Sequence, residues 1–140
     1  MERVRIVSGT YSSLDPTIRG QCERLGKEIF GLDVDLSGLV YYVLLKETNQ
    51  VISLLNFEKG YLYNVCTAVQ FQRRGAASLL LEAFLADNNP RPLWLTVWEQ
   101  NTGAIIFYQR HGFEVVRDGI KKNSRGEPEK YLVMCIPPKK

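Results

Sequence analysis

The sequence predicts a single α/β domain. Helical and strand-like hydrophobic periods alternate in the order strand, helix, three strands, helix, strand, helix and two strands. A length of 140 residues with 45% hydrophobic content suffices for one domain with a substantial core and is too short for two ordinary ones. Neither an internal repeat nor a long linker interrupts the order, so we expect residues 1–140 to form one domain.

The first two elements are a strand and a helix with recognisable ends. Residues 1–9 alternate apolar and polar side chains, as expected for a strand with one buried face. Asp15 is a suitable N-cap, Pro16 suits the first helical position, and Gly31 is a typical C-terminal stop. We therefore expect a helix between Asp15 and Gly31. Its apolar face comprises Ile18, Cys22, Leu25 and Ile29.

Three strands follow a polar segment. Residues 33–38 predict a loop or a short helix. Residues 39–47 and 51–59 are rich in β-branched and aromatic side chains, and the polar Thr-Asn-Gln between them predicts an antiparallel hairpin. A fourth strand is expected over residues 61–69.

The second half alternates helices with strands. Apolar residues at helical spacing predict a helix that begins near Ala77 and ends at the turn formers and prolines of residues 87–92. Residues 93–100 predict a strand, and Asn101 caps a further helix that Gly112 terminates. The last two strands are predicted at residues 113–119 and 129–136, joined by the polar segment 120–128.

Composition and charge narrow the function classes. Eighteen Lys and Arg against fifteen Asp and Glu give a net charge of +3, without the concentrated basic surplus of most nucleic-acid-binding proteins. No apolar run approaches the roughly 20 residues that a membrane helix needs. The N-terminus lacks the apolar region of a signal peptide. We therefore expect a cytoplasmic protein with no nucleic-acid or membrane partner.

The three cysteines, Cys22, Cys66 and Cys135, are far apart in sequence and do not cluster with the single histidine, His111. This spacing predicts reduced core thiols, with neither a disulfide framework nor a metal site. His111 lies beside the stop of the last helix and is expected to be structural.

The helix that begins near Ala77 lacks a capping side chain. Where Ser, Thr, Asp or Asn would accept the N–H groups of the first turn, the chain has Gln72, Arg73, Arg74, Gly75, Ala76 and Ala77. Glycine and alanine leave the backbone accessible, and a helix N-terminus carries roughly half a positive charge, so a phosphate fits there. From these six residues alone, a solvated basic turn before an ordinary surface helix is an equal alternative.

A second segment decides between these alternatives. Residues 93–116 contain a strand, an Asn cap, a helix with Phe-Tyr, a Gly stop and another strand. Here the chain resembles the GCN5-related N-acetyltransferase (GNAT) superfamily. The first signature of that family, Gln/Arg-x-x-Gly-x-Gly/Ala, matches residues 72–77 at every defined position. The second signature matches Asn101, Ala104, Phe107, Tyr108, Gly112 and Phe113.

The resemblance implies a mixed, mostly antiparallel sheet whose fourth and fifth strands splay apart, flanked by helices. It also implies acetyl-coenzyme A as cosubstrate. The pantetheine arm would pair, like an added strand, with the backbone of Cys66, Thr67, Ala68 and Val69. The N–H groups from Arg73 to Ala77 would hold the pyrophosphate. Asn101 would bind the pantetheine arm, with a pure helix cap as the alternative.

Acetyl transfer sets the chemical requirements. The amine attacks the thioester carbonyl directly, so the site must stabilise the developing oxyanion and protonate the departing thiolate, and no metal is needed. By the resemblance Tyr108 is the acid, with packing against the coenzyme as the alternative. A backbone N–H near Thr67 is the expected oxyanion donor. Thr67 itself stands where the family usually has an aliphatic residue.

No general base carries over from the family. The glutamate that polyamine acetyltransferases can carry on the fourth strand corresponds to Tyr63. The fifth-strand acid of ribosomal-protein N-terminal acetyltransferases corresponds to Thr96. The remaining candidates are Asp33, Asp35, Glu58 and Glu99, each of which is better explained as an ordinary surface acid.

The acceptor is predicted to be a small aliphatic di- or polyamine. Residues 93–101 resemble PaiA-type polyamine acetyltransferases, and Asp33, Asp35 and Glu28 would form an acidic mouth for a cation. Glu99 is a further substrate-binding candidate. A peptide or protein N-terminus is the competing acceptor, and a non-catalytic module that binds coenzyme A is the alternative from another class. The expected partner is a small-molecule amine, and a homodimer is left open.

Overall fold

The computed structural model describes residues 3–138. They fall into two compact units, divided between Asn89 and Pro90. Within the described residues the first unit has four strands and two α-helices, and the second has three strands and one α-helix. None of these helices is long and apolar enough to cross a membrane. The expectation of a single domain stays a prediction.

The first unit contains a four-stranded antiparallel sheet, in which each strand pairs with the next along the chain. Its elements are β1 (Val4–Thr10), α1 (Pro16–Phe30), β2 (Leu39–Leu45), β3 (Val51–Glu58), β4 (Tyr61–Thr67) and α2 (Ala76–Asn88), with short 3-10 turns at Tyr11–Ser13 and Val69–Phe71. The predicted hairpin of β2 and β3 is confirmed, since Leu44 pairs with Val51. Residues 1 and 2 of the predicted first strand lie outside the described part of the chain.

Helix α1 begins and ends where the sequence predicts. The Asp15 carboxylate accepts a hydrogen bond from the Thr17 N–H at 2.8 Å, which satisfies one N–H group of the first turn. Gly31 ends the helix in the left-handed conformation, with φ +76°. Residues 33–38 form a loop, so the alternative of a short second helix is wrong.

The two helices of the first unit cover opposite faces of its sheet. Cys22 of α1 packs in a buried cluster with Tyr42 of β2. Phe84 of α2 contacts the neighbouring residue, Tyr41, with ring centroids 5.4 Å apart. Because successive side chains of a strand point to opposite faces, α1 and α2 must lie on opposite sides. The four-stranded sheet of the first unit therefore lies between two helical layers.

Strand β4 contains a bulge and ends earlier than predicted. Cys66 pairs with Leu54 and Tyr63 pairs with Asn56, so two residues of β4 face one residue of β3. Asn64 in this bulge has φ +55°. The strand ends at Thr67 rather than at residue 69, because the chain turns into the 3-10 segment that precedes α2.

The second unit consists of β5 (Leu93–Trp98), α3 (Thr102–Arg110), β6 (Glu114–Lys122) and β7 (Pro128–Ile136). Strand β7 lies between β5 and β6 and is antiparallel to both. The predicted loop 120–128 is too long. Ile120 pairs with Lys130, and the turn is closed by the Asn123 N–H donating to the Glu127 carbonyl oxygen at 2.8 Å. The polar side chains of this hairpin face solvent, so their composition resembles that of a loop.

Candidate functional site

The N-terminus of α2 is open, as the sequence predicts. Gly75 precedes the helix in the left-handed conformation, with φ +84°, and no side chain of the described chain caps the first turn. A Cβ placed on Gly75 would meet no atom within 4 Å, so the space beside this backbone is open. The N–H groups at the start of a helix lack partners within it and lie at the positive end of its dipole. This arrangement suits a phosphate group.

Two arginines lie beside this helix start. Arg73 has a positive φ of 64°, which is uncommon outside glycine, asparagine and aspartate and is often found at ligand-binding turns. The Arg74 guanidinium lies over the Phe71 ring, 5.8 Å from its centroid. Both arginine side chains are exposed. They therefore add positive charge next to the open N–H groups.

Gln72 ties this loop to the end of β4. Its side-chain amide donates a hydrogen bond to the Thr67 carbonyl oxygen at 3.0 Å. The loop is closed by two further backbone bonds, from the Phe71 N–H to Ala68 and from the Gln72 N–H to Val69. The first residue of the predicted signature thus orients the segment from which the helix starts.

The backbone of Thr67 points away from β3. The Ala68 N–H donates to the Ile52 carbonyl oxygen at 2.8 Å, so Ala68 faces β3. Backbone groups of successive strand residues alternate in direction, and Thr67 therefore presents its N–H and C=O on the opposite edge of β4. That edge is the one on which an added strand would pair.

A buried hydroxyl explains the threonine at position 67. Ser53 is fully buried, and its hydroxyl donates to the Cys66 carbonyl oxygen at 2.8 Å and lies 3.0 Å from the Thr67 hydroxyl oxygen. An aliphatic residue in place of Thr67 would remove one partner of a buried polar group. The departure from the family pattern is thus matched by Ser53 on the neighbouring strand.

The Cys66 thiol is buried and chemically inert. Burial raises the pKa of its thiol to about 12, and burial likewise raises the pKa of the Cys22 thiol to about 12. Both thiols are therefore neutral at physiological pH. Because the thiolate is the nucleophilic form, neither cysteine is suited to covalent catalysis.

Asn101 precedes helix α3 of the second unit, and Tyr108 lies within that helix. Asn101 caps the helix, with its side-chain oxygen accepting a bond from the Ala104 N–H at 3.2 Å. Its amide NH2 is the group that could still donate to pantetheine. The half-buried Tyr108 ring packs edge-on between Phe107 and Phe113, with centroid distances of 5.3 and 5.5 Å. These contacts orient the phenol ring.

His111 closes the C-terminal end of α3. Its ring nitrogen Nδ1 lies 2.9 Å from the Phe107 carbonyl oxygen, and its ring packs on that of Phe107 at 4.7 Å. The Tyr108 carbonyl oxygen accepts a bond from the His111 backbone N–H at 3.0 Å. These contacts agree with the structural role expected for His111.

The predicted acidic mouth is not assembled from the expected residues. Asp33 is 91% exposed and pairs with Lys27 on α1 at 3.6 Å. Glu28 lines a separate small depression of about 140 Å³. In the second unit, Glu99 pairs with Lys130 at 3.1 Å. Neither Asp33 nor Glu28 is among the residues that line the depression containing Asp35.

Asp35 instead shares a depression of about 340 Å³ with Glu58. The lining residues are Asp35, Ser37, Glu58, Lys59, Tyr63 and Asn64. Gly38 makes this approach of loop and strand end feasible. It has φ +71°, and a Cβ there would lie 2.3 Å from the Phe57 carbonyl oxygen. The site thus combines two carboxylates, one ammonium group and the face of a phenol that is 46% exposed.

Sequence reasoning named Asp35, Glu58 and Tyr63 separately and missed Asn64. The available signal was an asparagine within a run of strand-forming residues, since asparagine is depleted in strands and tolerates positive φ. The loop residues 35–38 lie against the end of β3, and this contact joins residues that are far apart in the sequence. The local sequence therefore does not reveal it.

Comparison with known proteins identifies the family. The model described as the acetyltransferase (GNAT) domain matches residues 36–115, which is more than half of the chain and extends across the division between the two units. The chain therefore belongs to the GNAT acetyltransferase family.

The chain is similar to the ribosomal protein bS18-alanine N-acetyltransferase of Salmonella typhimurium, with 30% identity over 91 residues. The matched stretch is 61% of this chain and 61% of that protein. In fold it is similar to the ribosomal-protein-S18-alanine N-acetyltransferase from Escherichia coli, with a TM-score of 0.76 and 17% identity over 97% of this chain and 96% of that one. It is also similar to Arabidopsis thaliana NAA60 in complex with acetyl-CoA, with a TM-score of 0.72 and 15% identity over 93% of this chain and 98% of that one.

These findings confirm the predicted GNAT family and its mixed, mostly antiparallel α/β fold. They also confirm, for the family, the predicted class of N-acetyltransferase and its cosubstrate acetyl-coenzyme A. The likeness to PaiA-type polyamine acetyltransferases and the roles of individual site residues stay predictions.

Proposed function

We propose that the protein is an acetyl-coenzyme A-dependent N-acetyltransferase that transfers the acetyl group to a primary amine by direct attack. The observation that carries this proposal is the open N-terminus of α2, where no side chain caps the first turn. Residues 72–77, which form this helix start, lie within the stretch that the family model matches. Its N–H groups and the two exposed arginines suit the coenzyme's pyrophosphate.

The proposed reaction uses the acceptor amine, the backbone N–H of Thr67 and the hydroxyl of Tyr108. The amine nitrogen attacks the thioester carbonyl carbon, a C–N bond forms, and the carbonyl oxygen becomes an oxyanion. The outward N–H of Thr67 is the donor to that oxygen. Collapse of the intermediate breaks the C–S bond, and the thiolate takes the hydroxyl proton of Tyr108. The nitrogen loses its surplus proton to water, and Tyr108 regains a proton from solvent.

The acceptor in this proposal is a small aliphatic di- or polyamine. The depression beside Asp35 and Glu58 supports this substrate class, because its two carboxylates outnumber the single ammonium group of Lys59. The exposed face of Tyr63 adds a surface for a cation. One amine of the acceptor would stay charged there while another loses its proton for attack.

A peptide N-terminus is the second candidate acceptor. It is favoured by the likeness to a relative named as a ribosomal protein bS18-alanine N-acetyltransferase. It is disfavoured by Thr96, which stands at the fifth-strand position where such enzymes carry an acid and whose exposed side chain cannot serve as a base.

The test is a panel of acceptors at fixed acetyl-coenzyme A, including putrescine, spermidine, an aminoglycoside, free amino acids and a peptide with N-terminal alanine. Release of coenzyme A thiol and the mass of the product are measured. We expect the highest kcat/KM for a di- or polyamine. A peptide that exceeds every polyamine tenfold would establish the second candidate instead. Binding of the coenzyme without thiol release for any amine would indicate a non-catalytic module.

A further inference from the structure

A buried asparagine pair connects the loop before β2 to the bulge of β4. Asn56 of β3 is fully buried. Its amide NH2 donates to the Ser37 carbonyl oxygen at 3.0 Å, and its amide oxygen accepts from the Asn64 side chain at 2.9 Å. The Asn64 amide also donates to the Asp35 carbonyl oxygen at 3.2 Å. Two hydrogen bonds thus fasten the segment that carries Asp35, and a third joins the two asparagines that donate them.

Asn64 is suited to this task by its backbone. It lies in the bulge with φ +55°, where asparagine is tolerated far better than most residues. The bulge lifts its side chain out of the regular strand alternation and toward the loop. Its side chain therefore reaches Asp35, which is 29 residues away in sequence.

We propose that Asn64 is a positioning residue for the acceptor: it fixes the Asp35 side of the depression next to Glu58 through its bonds to Asp35 and Asn56. This inference rests on the proposed function, since it assigns Asn64 a part in binding the amine. The same residue lines the depression. Its backbone conformation also sets where β4 resumes toward Cys66 and Thr67, so one residue serves the acceptor side by its side chain and the coenzyme side by its backbone.

Loss of the Asn64 side chain has two consequences. The amide oxygen of Asn56 loses its donor while remaining buried, which is unfavourable. Of the two asparagine bonds to the segment 35–38, only the one from Asn56 to the Ser37 carbonyl oxygen remains. The Asp35 carboxylate then samples more positions, so binding of a cation beside Glu58 weakens while the N-terminus of α2 is unaffected.

The experiment compares Asn64→Gly with Asn64→Ala. Glycine tolerates φ +55° and removes only the amide, whereas alanine removes the amide and also strains the bulge. Asn49→Gly is the matched control, because Asn49 has φ +57° in the turn between β2 and β3 and does not line the depression. For each variant we measure KM and kcat for the best acceptor, the Kd of acetyl-coenzyme A, and hydrogen exchange of residues 35–38.

For Asn64→Gly we expect the acceptor KM to rise about 5- to 30-fold, as for the loss of two hydrogen bonds. We also expect faster exchange at residues 35–38 and an unchanged coenzyme Kd. Asn64→Ala should in addition weaken coenzyme binding, and Asn49→Gly should change none of these quantities. An Asn64→Gly variant with faster exchange but an unaltered KM would overturn the proposal, because it would show that the Asn64 side chain holds the loop without affecting acceptor binding. A wild-type protein that acetylates no amine would refute the proposed function itself, while the exchange data would still report on the fastening of the loop.

Discussion

The Gln72 side-chain amide lies 3.0 Å from the Thr67 carbonyl oxygen, so the first residue of the coenzyme signature holds the loop before α2 to the last residue of β4. Thr67 presents this carbonyl on the edge of β4 that faces away from β3. The bond therefore links the segment expected to hold pyrophosphate with the segment expected to pair with pantetheine. We therefore expect Gln72 to affect coenzyme binding through the backbone that it orients.

Replacing Gln72 with glutamate should weaken acetyl-coenzyme A binding. A carboxylate cannot donate to the Thr67 carbonyl oxygen, and its charge repels the pyrophosphate. We expect the Kd from calorimetry to rise about 3- to 10-fold, as for the loss of one hydrogen bond. Gln70→Glu places the same charge two residues away without touching Thr67. Equal effects of the two substitutions would show that the hydrogen bond is irrelevant.

Tyr108→Phe tests the acid. Phenylalanine keeps the ring contacts with Phe107 and Phe113 and removes only the hydroxyl. We expect kcat to fall about 10- to 1,000-fold, the usual range for general acid catalysis, with the Kd of acetyl-coenzyme A nearly unchanged. Pre-steady-state thiol release is the measurement. An unaltered rate would mean that the thiolate leaves unaided or is protonated by water.

Removing the charges of the depression tests the acceptor class. In a variant with both Asp35→Asn and Glu58→Gln, we expect the KM for a polyamine to rise about threefold to tenfold, because exposed charge pairs contribute little each. The effect should shrink as salt is added. Asp33→Asn is the control, since Asp33 points into solvent beside Lys27. If Asp33→Asn raised the KM for the polyamine as much as the double variant does, the effect would come from long-range charge and not from this depression.

The buried thiols predict a pH dependence of stability. Burial raises the pKa of Cys22 and Cys66 in the folded protein to about 12, against 9.0 for an ordinary thiol. The unfolded chain therefore loses these protons first, and the free energy of unfolding should fall as the pH rises from about 9 toward 12. The native protein should resist alkylation at both cysteines at pH 8 and react once unfolded. Rapid native labelling of either residue, identified by peptide mapping, would contradict the assigned burial.

The sequence predicted correctly those helix ends that depend on contacts between residues close together in the chain. Asp15, Gly31 and Asn101 mark helix ends through contacts within a few residues, and all three do so in the structure. The open start of α2 was also predictable, because the absence of a capping side chain is visible in residues 72–77. Strand β6 was extended by pairing with β7, which the polar composition of residues 120–128 conceals.

The candidate acceptor site depends on contacts that a single sequence does not display. Asp35 and Glu58 meet because Gly38 allows the loop to lie against Phe57, and Asn64 reaches Asp35 only through the bulge. Counting acids along the chain therefore grouped Asp33 and Glu28 with Asp35. In the folded protein the second acid beside Asp35 in the depression is Glu58, and neither Asp33 nor Glu28 lines it.

The central claim is that the coenzyme's pyrophosphate occupies the open N-terminus of α2. The most direct measurement compares acetyl-coenzyme A with S-acetylpantetheine, which has the same thioester and no phosphate, as donors for wild type, Gly75→Asp and the control Gly31→Asp. Gly31 has the same left-handed φ and open surroundings but lies at the end of α1. We expect wild type and Gly31→Asp to prefer acetyl-coenzyme A by about 100-fold or more in kcat/KM, since charge-assisted hydrogen bonds contribute about 1.5–3 kcal/mol each. Gly75→Asp should lose most of that preference through repulsion and backbone strain. Equal use of the two donors by wild type, or an unchanged preference in Gly75→Asp, would contradict the account.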